Sequence, residues 1–536
     1  MKGKNEATDS IRPVSSISGD ELEKNKEGAI ATSVHSKTSV DAFTIAYDDS
    51  DINNINDINN VDRAMKFAIE HKGEQILISK DELKRVLLKI DLFILPIVCL
   101  VYAIQYMDKT STSYGSILGL RTSLHMEGNM YSWTSTCFYL GYLAFAFVLT
   151  YLLQRLPLVK TVSVFIVLWG VILALCAVPQ YPGFIALRTI LGALESSVTP
   201  AFALITSQWY RQEEQYLRTA CWFSSNGIGQ IIGLAIGYGL YKNQHLYSLP
   251  AWKLVFVITG VMTIVLGFLV ALHIPDTPTE AWFLNAREKA VVVERIRSNQ
   301  QGFGNPRFKK SQFIEALKDY HSWLYVLFAL SFNIPNGGIT SFTSILLNED
   351  FGYSTEKSLL MNMPQGTIII VCCPLLAYLS QFIKSRLLMT TGVTAVALML
   401  ACLLAFAPTK EGRLAGLYLF TLSPIGSICI LSQIASSVAG HTKKVTVSAM
   451  YLIAYCVGNL IGPQTFIASQ APGYQGAKVA IVVCIVVCLF TLIVIYFSFR
   501  RENKRRDSLP KVDLHIDNHE FADLTDRQNP HFRYAL

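Results

Sequence analysis

Four charged residues interrupt segments that are otherwise apolar: Asp108 and Lys109 in VYAIQYMDKTSTS (101–113), and Arg188 and Glu195 in RTILGALESSVTP (188–200). At a bilayer centre a charge costs about 2.5 to 3.5 kcal/mol on insertion scales, so such residues face a cavity or a partner. Arg188 and Glu195 are seven positions apart, which on an α-helix is about 20° in azimuth and roughly 10 Å along one face. They share a face without touching. Asp108 and Lys109 are adjacent and point about 100° apart, so one can reach a cavity while the other braces a neighbouring helix. The chemistry these types allow is binding of an anion by Lys109 and Arg188, the latter through the bidentate grip that suits a planar guanidinium. Asp108 and Glu195 then carry protons, because an anion that neutralises the neighbouring cation favours protonation of the carboxylate. A second reading stays open: the four form a static ion-pair lock between two helices, or Asp108 and Lys109 lie at the outer end of a shorter helix.

The second half of the chain has no charge deep in its apolar segments, only Asn333, Asn336, Gln365, Gln433, Asn459 and Gln464. Ion coupling therefore falls to the first half. Asn336 and Asn459 are candidate substrate ligands, and Tyr106, Tyr139 and Asn226 are candidates for lining the pathway, with plain helix packing as the competing reading for each. Pro335 beside Gly337 and Gly338 is expected either to break its helix and free backbone groups over a cavity or to kink it. Trp133, Trp209, Trp252 and Trp323 lie near segment ends, where an interfacial belt would anchor them.

The elements that position these residues follow from composition. The 536 residues are 51% hydrophobic and 16% charged, with mean hydropathy +0.36, whereas soluble domains carry about 25% charged residues. A purely soluble protein is excluded on that ground. The net charge of +7 gives no nucleic-acid inference, since in a membrane protein the placement of basic residues matters more than their sum. The eleven cysteines fall in apolar runs without zinc or disulfide-scaffold spacing, and no metal or organic cofactor is expected. No cleavable secretory signal is read in the first 30 residues.

About 20 mainly apolar residues span a bilayer, and twelve segments qualify: 91–118, 131–153, 158–178, 182–209, 216–241, 252–273, 322–347, 358–381, 387–407, 412–437, 446–469 and 477–500. The expected fold is an all-α membrane protein with two six-helix bundles, 91–273 and 322–500, joined by a charged central loop, 274–321. Such paired bundles place a substrate site near the midplane between the halves. A disordered cytosolic tail is expected over 1–80, where DINNINDINN cannot bury enough apolar surface to order itself, and a second cytosolic tail over 501–536. Lysine and arginine crowd the loops on one side, which puts both termini and the central loop in the cytosol. Within that loop NAREKAVVVERIRSNQQG (285–302) reads as an amphipathic helix under the bundle.

The chain resembles the fungal allantoate permease family, a group of anion:cation symporters within the major facilitator superfamily. The resemblance runs from about residue 60 to the end and is carried by the two charged motifs above. It is carried also by IPDTPTEAWFLNAREK (274–289), RIRSNQQGFGN (295–305), NIPNGGITSF (333–342), QTFIASQAP (464–472) and FADLTDRQNPHFRYAL (521–536). It implies uptake of allantoate or ureidosuccinate, with small peptides as a further option, driven by a proton gradient across the plasma membrane of a fungal cell using poor nitrogen sources. Asp108, Lys109, Arg188 and Glu195 match the positions that carry substrate binding and proton coupling in related organic-anion symporters, with lysine at 109 where many relatives have arginine. Sister branches carry nicotinate, pantothenate or other carboxylates. The implied partners are a small organic anion, protons and the lipid bilayer, with the protein a monomer. A non-transporting nutrient receptor is the alternative of another class. An enzyme lacks support, because no nucleophile and base pair or phosphate-cradling loop stands among the helices.

Overall fold

The computed structural model describes residues 41–44, 75–78, 80–297, 309–380, 385–423, 425–508, 525–529 and 531–535. The expected disordered tail, 1–80, lies mostly outside them. Within it Asp41–Thr44 (β1) pairs antiparallel with Gln75–Ile78 (β2), Asp41 opposite Ile78.

Among the described residues every other regular element is a helix, as a chain in hydrocarbon must form to satisfy its backbone groups internally. The first half comprises α1 (Lys80–Phe93), α2 (Leu95–Gly115), α3 (Met130–Arg155), α4 (Leu158–Leu175), α5 (Tyr181–Glu195), α6 (Val198–Trp209), α7 (Gln212–Lys242) and α8 (Ala251–His273). Two short helices follow, α9 (Ala286–Arg297) and α10 (Lys310–Lys318). The second half comprises α11 (Tyr320–Ile345), α12 (Thr355–Ser380), α13 (Arg386–Phe406), α14 (Lys410–Phe420), α15 (Ile425–Ser437), α16 (His441–Ile461) and α17 (Gln475–Asp507).

Helices occupy all twelve expected spans, and three spans are divided, into α5 with α6, α14 with α15 and, for 91–118, the end of α1 with α2. The first break has a local cause: Pro200 has no N–H to donate back across Ser196 and Ser197, so the helix opens just after Glu195. Among the described residues, nine helical stretches are long and apolar enough to cross a bilayer on that ground alone. The helices α7 and α11 carry more Gly, Ser and Asn and are held by packing, α7 between α2 and α12, α11 against α16. Contrary to the broken-helix expectation, α11 runs unbroken through Pro335. Gly337 instead admits the backbone of α16, since a Cβ there would stand 2.6 Å from the Asn459 carbonyl oxygen.

Two large apolar cores form, one around Val101, Phe138, Trp169, Phe202 and Phe256, the other around Tyr325, Phe328, Leu346, Leu404 and Ile485, with a small third cluster at Ile369, Cys373, Met389 and Cys429. Two of the expected belt tryptophans belong to the interior. Trp209 stacks on Phe283, and Trp252 donates to the Ser123 hydroxyl at 3.0 Å, both fully buried. Trp133 and Trp323 are exposed. The cause is helix packing that places loops and bundle ends over positions which are terminal in sequence.

At the end of the bundle carrying the chain termini, each half is stitched within itself. In the first, Glu288 of α9 meets Lys89 at 2.6 Å, Arg295 pairs with Glu214, and Arg218 grips Asp91 through two nitrogens. In the second, Lys443 is 1% exposed and bonds Asp526 at 2.6 Å, Asp319 at 2.8 Å and Glu315 at 3.0 Å. Asp526 arrives on the folded-back terminal segment, where Tyr534 donates to Asp526 at 2.7 Å and stacks on Phe499. Burial alone would push the Asp319 carboxyl up, but hydrogen bonds from His321 and Lys443 and the Lys443 charge outweigh it and hold it well below the usual carboxylate range.

Bonds between the halves lie elsewhere. Tyr131 donates to the Ser341 carbonyl at 2.7 Å, Gln464 to Thr136 at 2.8 Å, Gln230 to Asn362 at 2.9 Å, and Arg121 pairs with Glu349 at 2.6 Å. All sit between the bundle centre and the far end.

Candidate functional site

The four intramembrane charges meet in two crossed ion pairs between α2 and α5. Asp108 Oδ1 stands 3.4 Å from Arg188, and Lys109 Nζ 3.3 Å from Glu195. Helix geometry explains the crossing: adjacent residues on α2 diverge by about 100°, and the longer lysine chain reaches the deeper carboxylate. The helices α3 and α5 pack backbone to backbone, since a Cβ on Gly141 would meet the Thr189 carbonyl oxygen, and one on Gly192 that of Phe138, at 1.9 Å. This approach sets the Phe138 ring between both cations, 5.1 Å from the Arg188 guanidinium and 5.8 Å from the Lys109 ammonium.

Exposure separates the pairs. Asp108 and Glu195 are fully buried and Arg188 is 2% exposed, but the Lys109 side chain keeps 19%. Tyr106 and Tyr139, with Tyr102, Tyr142 and Tyr455, lie within electrostatic reach of Lys109. An ammonium ringed by hydroxyl-bearing aromatics can bind an anion through charge and hydrogen bonds together. Glu195 Oε2 and Arg188 Nε are buried without a hydrogen-bond partner, leaving capacity for a proton and for an acceptor.

Other candidates stand apart. Asn226 is buried on α7 and bonds none of the four charges. Asn336 and Asn459 form their own chain in the second half, Asn336 donating to Asn459 at 2.9 Å and Asn459 to Asn333 at 3.3 Å. Gln433 is taken up by the terminal segment, donating to the Ala535 carbonyl at 2.5 Å.

Three contacts went unread in the sequence. Trp169 of α4 donates its indole N–H to Asp108 Oδ2 at 2.7 Å, Gln105 donates to Glu195 Oε1 at 3.0 Å, and Phe138 lies under the cations. Two carried a signal: Trp169 sits well inside α4 (Leu158–Leu175) instead of at its end, and Gln105 lies one turn before Lys109 on the same face. Among the described residues no group of His, Cys, Asp and Glu could hold a metal ion.

Residues 98–463 match the family model described as Major Facilitator Superfamily. Allantoate permease of Saccharomyces cerevisiae is 49% identical over 89% of this chain and 90% of its own length. The chain belongs to the allantoate permease family of the major facilitator superfamily. The chain is also similar to an uncharacterized Schizosaccharomyces pombe transporter, 47% identical over 89% of this chain and 94% of its own, and to the thiamine pathway transporter of S. cerevisiae, 33% identical over 84% and 86%. The fold is also that of a bacterial homologue of the human lysosomal transporter Spinster, with TM-score 0.54, 15% identity, and coverage of 76% of this chain and 96% of that one. As a family member the chain is a multi-pass membrane transporter and not an enzyme.

Proposed function

We propose that this transporter carries small organic anions, allantoate and ureidosuccinate first among them, into the cell together with protons by alternating access. The observation that carries the reading is the Lys109–Glu195 pair, in which the cation is part-exposed and the carboxylate fully buried. An incoming carboxylate competes with Glu195 for Lys109. Glu195, stripped of its cation in a buried site, is stable only with a proton. Anion and proton are thereby bound together, and neither is favoured alone. Tyr106 and Tyr139 supply hydroxyls around the anion; Arg188, held by Asp108, adds a fixed positive field. Asn226, Asn336 and Asn459 complete the pathway wall as the halves rock about the midplane.

The substrate assignment draws on the relative named for allantoate. The excess of lysine and arginine at the terminal end supports a cytosolic placement of both termini, and the plasma membrane is the site of uptake.

The test is uptake of labelled allantoate by cells lacking endogenous permeases, at acidic and neutral external pH, with and without a protonophore. Accumulation greater at acidic pH and collapsed by protonophore is expected. Uptake insensitive to both would overturn proton coupling, and absence of uptake despite surface expression would redirect the assignment to nicotinate, pantothenate and other carboxylates.

A further inference from the structure

The two buried carboxylates are held in different ways. Asp108 has both oxygens engaged by donors from two other helices: Oδ1 by Arg188 of α5 and Oδ2 by the Trp169 indole of α4. Glu195 has one oxygen engaged, by Lys109 and Gln105 together, both on α2, while Oε2 is buried and bare. One node therefore ties three helices with no acceptor left over. The other ties two and keeps an acceptor in reserve.

Trp169 is well placed to hold its node still. It is fully buried, and the next residue, Gly170, packs against the backbone of α8, where a Cβ would stand 2.8 Å from the Gly260 carbonyl oxygen. The α4 backbone is thus locked where the indole leaves it. A neutral donor of fixed direction also does what a second cation would not. It satisfies Asp108 without adding charge, so the four-residue set stays balanced.

We infer that Trp169 is a positioning residue of this site: its indole N–H fixes Asp108 against Arg188, which keeps that pair closed and leaves Lys109–Glu195 as the pair that opens. Without the N–H, Asp108 Oδ2 is a buried acceptor with no partner. The carboxylate turns to recover one, Arg188 is released toward Glu195, and Glu195 then keeps a cation when the anion takes Lys109, so it no longer needs the proton. The inference rests on the proton-coupled reading of the site, which Trp169 serves without touching substrate.

Two substitutions separate donation from packing. Trp169→Phe keeps an aromatic ring and removes the N–H. Trp169→His loses ring bulk, but its Nε2 falls where the indole has Nε1, because both are five-membered rings joined at Cγ, so the donor is retained. At matched surface amounts, Trp169→Phe is expected to lose at least about tenfold in the ratio of proton-driven accumulation to counterflow exchange, and Trp169→His to recover a substantial part. Wild-type behaviour of Trp169→Phe, or equal loss in both variants, would overturn the inference. A double-mutant cycle on thermal unfolding of the purified protein, pairing Trp169→Phe with Asp108→Leu, which has no acceptor, decides the bond even where the wild type proves not to be proton-driven. Melting points that fall no further in the double variant than in Asp108→Leu support it, and additive falls refute it.

Discussion

The two halves solve the same packing problem with different polar chemistry. In the first, α2, α4 and α5 are joined through two ion pairs and their neutral donors; in the second, α11 and α16 are joined through Asn333, Asn336 and Asn459. Removing one member of a buried ion pair leaves a bare charge and costs about 3 to 5 kcal/mol, whereas a neutral hydrogen bond contributes about 1 kcal/mol. An amide does not titrate near neutral pH. Under the proposed function the second half orients the ligand and closes around it, and the proton is carried by the carboxylates of the first. Charge is not missing from the second half. Lys443 with Glu315, Asp319 and Asp526 is a charged cluster at the bundle end, and there the terminal segment supplies one of the acids.

This contrast can be broken by substitution, and the largest effect is expected at Arg188. Arg188→Met leaves Asp108 buried without its cation, so a loss of about 3 to 5 kcal/mol is expected, read as a lower melting point of purified protein and loss of uptake; pairing it with Asp108→Asn should restore much of the melting point. Next comes Glu195→Gln, expected to abolish proton-driven accumulation while counterflow of preloaded substrate persists. Loss of both activities at normal surface expression would move coupling away from this carboxylate. Lys109→Arg keeps the charge but exchanges a point ammonium for a planar fork, and a change in KM of up to about tenfold with transport capacity retained is expected from concentration-dependent uptake. The smallest effect belongs to Asn336→Ala, which removes one neutral hydrogen bond worth about 1 kcal/mol and should alter uptake by no more than about threefold. A collapse of transport there would make the second half a principal ligand source and erase the distinction.

Much of this architecture was legible in the chain. The twelve spans could be read because a bilayer demands runs of apolar residues, and charges inside those runs stand out against them. Asp108, Lys109, Arg188 and Glu195 were found in that way, and their seven-residue spacing gave the shared face on α5. Their pairing was not legible, since which acid meets which base depends on how α2 is rotated against α5. Trp169 and Phe138 were missed for the same reason: an aromatic in an apolar segment carries no mark of whether its edge meets lipid, a neighbour or a carboxylate. The burial of Lys443 is equally illegible, because the acids that bury it come from the α10 region and the far C-terminus.

Sequence alone thus determined membrane insertion, span count, the charged residues and the family resemblance, because hydropathy and local motif are properties of neighbouring residues. Tertiary structure decided the crossed pairing, the indole that completes Asp108, the vacant Glu195 oxygen and the terminal segment's place over Lys443. Each depends on distance and direction between helices remote in sequence, and those are fixed only when the helices pack.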